Sequence, residues 1–171
     1  MDYCKLAGAG LILSASLWAG FHAALRLRRT HEMLRDLSAA LELMAGEISF
    51  ASTAFVPLCR RAGEGRCEAV RRFFHILACE GEKPDFVPDG LTRRACVEAG
   101  MLLPGSAVSA LERLFDGFGR FDREGQLSQL RLAAGELAAL SGELSEQMEG
   151  RCRTYEVLGL TAGTAVLVLV L

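Results

Sequence analysis

The side chains with chemical potential in this sequence are three histidines, six cysteines and a run of arginines. His22, His31 and His75 each lack an adjacent nucleophile and a metal-ligand pair. Cys4, Cys59, Cys67, Cys79, Cys96 and Cys152 form no C-x-x-C pair and are read as having no histidine at ligand spacing, so a zinc site is not expected. Gly63-Glu64-Gly65 and Gly117-Phe118-Gly119 are the nearest approach to glycine-rich loops. Neither carries the spacing or the Lys-Ser/Thr that a phosphate cradle needs, so both read as turns. No catalytic residue, cofactor or metal is expected, and the chain reads as a non-enzyme.

Two features remain that could carry binding. Arg60, Arg61, Arg66, Arg71 and Arg72 make the densest like-charge cluster in the chain. It is either a solvated face or a docking patch for an acidic partner or anionic lipid headgroups. The second feature is the pair Gly159 and Gly163, small residues four apart that let membrane helices approach closely. A net charge of −2 points away from nucleic acid.

The elements that position these residues follow from hydropathy. Hydrophobic residues make up 51% of the 171 residues, with a mean hydropathy of +0.25. The excess lies at the ends. Leu6 to Leu25 carries no charge and, at a helical rise of 1.5 Å, would extend about 30 Å, enough for a bilayer. A cleaved signal is disfavoured because Phe21 and His22 interrupt the small residues a cleavage site wants. Val157 to Leu171 would extend only about 22 Å. Crossing there requires local thinning, snorkelling by Glu156 or Tyr155 drawn into the interface, and docking on the domain's own core is the alternative.

These runs divide the chain into an N-terminal anchor (1–25), a helical domain (26–156) and a C-terminal anchor (157–171). Arg26, Arg28, Arg29, Arg151 and Arg153 flank the anchors on the domain side, against Lys5 alone on the other. The positive-inside rule then puts the domain in the cytoplasm and both termini across the membrane.

Within the domain, Leu34, Leu37, Leu41, Met44 and Ile48 step by three and four, one apolar stripe on a helix over 31–50. A second helix is expected with Ser52 or Thr53 as its cap, Pro57 in its first turn, and Gly63 and Gly65 as stops. A third should run from about Arg66 to Cys79 and end at Gly81, with Cys67 on its apolar stripe, and a fourth from about Leu91 to Gly100. Ser106 is the expected cap of a fifth, which buries Val108, Leu111, Leu114, Phe115 and Phe118. Asp122 should cap the longest, with Leu127, Leu130, Ala134, Leu137, Leu140 and Leu144 on one face. No segment alternates with period two. The fold class is therefore all-α, an antiparallel bundle of about six helices between two transmembrane helices.

Two local motifs resemble one family. Glu47-Ile48-Ser49-Phe50-Ala51-Ser52-Thr53 is similar to the Glu-Ile-x-Tyr-x-x-Thr-Pro-Leu of stage III sporulation protein AB, with Ala54 and Phe55 in place of Pro-Leu. The stretch from Gly117 and Gly119 through Asp122 to Gln126 resembles that family's Leu-Gly-x-Ser-Asp-x-x-x-Gln turn. Phe121 stands where the family usually has Ser, and Gln129 where a His is common.

The resemblance implies a membrane component of the channel built between mother cell and forespore. Its domain would be similar to the cytoplasmic domain of type II secretion and type IV pilus platform proteins. The implied partners are the sporulation ATPase, protein AA, other membrane proteins of the channel, and the bilayer, with no small-molecule substrate. The implied location is the mother-cell membrane around the forespore. The runner-up is a membrane-anchored helical adaptor or regulator of unrelated ancestry.

Overall fold

The computed structural model describes residues 2–51, 54–83, 90–118 and 121–170. Among their side chains it describes those of Trp18, His22 and residues 25–50, 54–83, 90–115, 117–118 and 121–147. Among the described residues the fold is all-helical: α1 (Asp2–Ala51), α2 (Phe55–Gly63), α3 (Glu68–Gly81), α4 (Leu91–Glu98), α5 (Gly105–Asp116) and α6 (Arg123–Val170). The chain divides into two compact units, Arg29–Ser141, and Met1–Arg28 with Gly142–Leu171. Among the described residues no helix is long and apolar enough to cross a membrane. Most side chains of the two expected anchors, including Gly159 and Gly163, lie outside the described residues.

The core of the unit Arg29–Ser141 follows the sequence pattern. Leu34, Leu37, Leu41, Met44 and Ile48 of α1 are all buried, as are Leu130, Ala134 and Leu137 of α6. Each large aliphatic side chain so removed from water contributes about 1.5–3 kcal/mol. Ser38 is buried without penalty because its hydroxyl donates to the carbonyl of Ala134 at 3.0 Å, which also ties α1 to α6. The ring of Phe115 on α5 meets Phe73 and Phe74 on α3 edge-on, at 5.9 and 6.4 Å, and Phe55 on α2 at 6.5 Å. Phe118 and Val108 are half-buried, as are Leu127, Leu140 and Leu144.

Several helix ends depart from expectation. The first residue before α2 is Ala54, whose side chain makes no capping bond; Ser52 and Thr53 lie outside the described residues. Pro57 still occupies the first turn, where its missing N–H costs nothing. Helix α3 starts at Glu68 because Cys67 is extended, at φ −59° and ψ 156°, and its amide donates to Oδ2 of Asp36 on α1 at 2.7 Å. Cys67 is thus the N-cap and half-buried, with no place on the apolar stripe. The helix ends at Gly81 as expected, where a Cβ would come within 3.0 Å of the Phe55 ring, so glycine lets α2 close on it.

Helix α4 ends at Glu98, two residues short of Gly100. The amide of Met101 donates to Cys96 at 2.9 Å and that of Gly100 to Val97 at 3.0 Å, a Schellman closure that requires the positive φ of Gly100, 69°. At α5 the expected cap is also displaced. The carbonyl of Pro104 accepts the first helical bonds, from Ala107 and Val108, and Ser106 sits exposed inside the first turn.

Candidate docking end of the bundle

The two motifs picked out in the sequence, 64 residues or more apart, meet at one end of the unit Arg29–Ser141. The last carbonyls of a helix have no intrahelical donor. At the end of α1 that lack is met by Arg123, the first residue of α6. Its Nε donates to the carbonyl of Ile48 at 3.0 Å, and a terminal guanidinium nitrogen donates to that of Ser49. A planar fork with several donors and a fixed charge suits this place, where the helix dipole is negative.

Arg123 is held in turn by the local structure of its own turn. Asp122 is the N-cap of α6, its Oδ1 accepting the amide of Gly125 at 3.0 Å. Gln126 donates from Nε2 to the carbonyl of Phe121 at 3.1 Å, closing the other side. Gly117 ends α5 with φ −90°, so its role is space and not left-handed backbone. A Cβ there would lie 3.1 Å from the Phe121 ring. Gly119 lies outside the described residues. Glu47, the residue before the clamped carbonyls, pairs with Arg61 of α2 at 2.7 Å. Two aromatics stand out from this end: Phe50 is 92% exposed and Phe121 49%.

The arginine cluster does not form one open patch. Arg60 pairs with Glu82, Arg61 with Glu47, and Arg71 and Arg72 both with Glu68, so four of the five guanidinium groups face a carboxylate. Hydrogen bonds from Arg72 and then Arg71 hold the Glu68 carboxyl below its usual range. Arg66 is half-buried, and its Nε has no hydrogen-bond partner among the described residues. Arg60 and Arg71 line one shallow groove between α2 and α3 of about 200 Å3, as do Cys59, Gly63 and His75. These pairs are solvent-exposed, so each is worth little in stability, but they do offset the charge that would attract an acidic surface.

A family model described as stage III sporulation protein AB matches residues 5–171. The chain belongs to that family. Stage III sporulation protein AB of Bacillus subtilis (strain 168) is 22% identical over 169 residues, covering 98% of this chain and 99% of the relative. A solved structure of a stage III sporulation protein AB superposes with a TM-score of 0.61 at 18% identity, over 71% of this chain and 97% of that one. At that identity the likeness concerns the fold.

Some contributors to this family member's architecture escaped the sequence reading. Asp36 looks like a solvated charge on the back of α1, yet it caps α3 from another helix. Its carboxylate at a helix N-terminus also meets the positive end of the dipole. Arg123 carried no signal beyond its place in the motif. The reading of the cysteines needs correction as well. Cys79 does have a histidine at helical ligand spacing, since its Sγ lies 3.7 Å from His75 Nδ1.

Proposed function

We propose that this chain is a membrane platform of the sporulation channel between mother cell and forespore, and that its helical domain docks the cytoplasmic ATPase, protein AA. Family membership supports the setting and removes the reading of unrelated ancestry. The apolar runs at 6–25 and 157–171 and the arginines that flank them on the domain side support two anchors with the domain in the cytoplasm. The role is positional, with no covalent step. Labelling of Cys79, the exposed thiol of α3, in intact cells without permeabilisation would overturn this topology.

The observation that carries the docking role is Phe50. A side chain of that size left 92% exposed, on backbone clamped by Arg123, is a rigid aromatic anchor of the kind that dominates interfaces. On this reading Phe50 and Phe121 supply the contact, and Arg60 and Arg71 supply orientation at the rim. Affinity of the full chain in detergent for the purified ATPase, measured by interferometry, provides the test. Phe50→Ala should weaken binding by about tenfold or more, the scale of an interface hot spot. Changing Arg60, Arg61, Arg71 and Arg72 to Glu should mainly slow association and reduce its salt dependence. Unchanged affinity in Phe50→Ala, with complete loss in the arginine variant, would move the docking surface to the groove. Loss of binding to anionic vesicles alone would make the cluster a lipid contact.

A further inference from the structure

Helix α3 presents a pair of metal-ligating side chains. His75 and Cys79 are four residues apart, one helical turn, and both are exposed on the same face. The Cys79 sulfur lies 3.7 Å from Nδ1 and 3.9 Å from Nε2 of His75. A tetrahedral ion with bonds of about 2.3 Å to sulfur and about 2.05 Å to nitrogen separates those two atoms by about 3.6 Å. The spacing is therefore close to that of a chelate; the sulfur is nearly equidistant from both ring nitrogens, and exposure leaves the two side chains room to turn a lone pair toward an ion.

Among the described residues no third ligand joins the pair. Glu82, just past the end of α3, pairs with Arg60, and Glu80 with Lys83 at 2.6 Å. Cys59 lines the same groove as His75, but its side chain is buried. Among the described residues no group of three or more His, Cys, Asp or Glu could hold an ion.

We propose that His75 and Cys79 form a two-point chelate for a borderline transition-metal cation such as Zn2+, with the remaining positions open to water or to a ligand from outside the chain. A thiolate beside an imidazole selects zinc, cobalt or copper over magnesium and calcium. Binding releases the thiol proton of Cys79 and leaves the imidazole neutral.

The experiment titrates the full chain in detergent with Co2+, following the near-ultraviolet absorption of cobalt–thiolate bonds, then displaces it with Zn2+. One equivalent should bind, excess Mg2+ should not compete, and Cys79→Ser should abolish the absorption. His75→Ala should weaken binding by at least the roughly tenfold that even an outer partner of a metal ligand is worth. Both positions are exposed, and circular dichroism checks that helix content is kept. As a second readout on the unmodified chain, saturating Zn2+ should slow alkylation of Cys79 by iodoacetamide, read by mass spectrometry. Absorption that survives Cys79→Ser, equal affinity in His75→Ala, or alkylation unaffected by Zn2+ would each overturn the chelate.

Discussion

Gly125 stands in the first turn of α6, where general propensity and local geometry make opposite predictions for Gly125→Ala. Alanine in place of glycine inside a helix gains up to about 1 kcal/mol. Against this, the new Cβ would lie 2.8 Å from Asp122 Oδ1 and 3.0 Å from Phe121 Cβ. The first contact expels the oxygen that accepts the Gly125 amide, and losing an N-cap costs about 1 kcal/mol. The second displaces Phe121 from its seat over Gly117, and for a side chain 49% exposed the lost burial is worth about 1 kcal/mol. The balance is a destabilisation of about 1 kcal/mol, or a fall in Tm of about 2–4 °C for a chain of this size.

Asp122→Ala alone should also cost about 1 kcal/mol. In that background the oxygen is absent and the cap already lost, so adding Gly125→Ala should be close to neutral, a coupling of about 1 kcal/mol. Thermal melting of the full chain in detergent, followed by far-ultraviolet circular dichroism, gives all four corners of this cycle. A higher Tm for Gly125→Ala, or strict additivity of the two changes, would refute the reasoning.

Two further outcomes are expected. Asp36→Ala should cost about 1 kcal/mol by uncapping α3, whereas Asp36→Asn, which keeps an acceptor, should lose less; urea unfolding that leaves the Ala variant unchanged would remove the cap. Burial pushes the Cys59 thiol from 9.0 to about 12, and burial with the Glu112 charge pushes Cys96 to about 11. Both therefore keep their protons in the folded chain while the unfolded chain releases them. Their contribution to stability is intact below pH 9.0 and is lost as pH rises from there toward 11 and 12. The steepest slope is about 1.4 kcal/mol per pH unit for each thiol. Urea midpoints on either side of pH 9.0 should show the fall, and Cys59→Ala with Cys96→Ala should flatten it.

What the sequence by itself determined is local. Six helices with short breaks were legible because apolar spacing, proline and glycine act on the backbone within a turn. The α1 stripe from Leu34 to Ile48 is buried throughout for that reason. Asp122 was legible as a cap because its acceptor reaches an amide only three residues on, and the family resemblance was carried by short stretches around Glu47 and Asp122.

Tertiary structure decided what each polar group meets. Ser106 has the chemistry of a cap, yet Pro104 starts α5. Asp36 carries no mark of its role, because the amide it caps belongs to a helix 31 residues away. Five arginines close in sequence read as one charge cluster, but Glu82 and Glu47, 22 and 14 residues distant, divide it. Arg123 and Ile48 are 75 residues apart. A backbone's preference is set by its neighbours along the chain, whereas a charge or hydrogen bond finds its partner through space, after packing of the apolar stripes has fixed which helix ends come together.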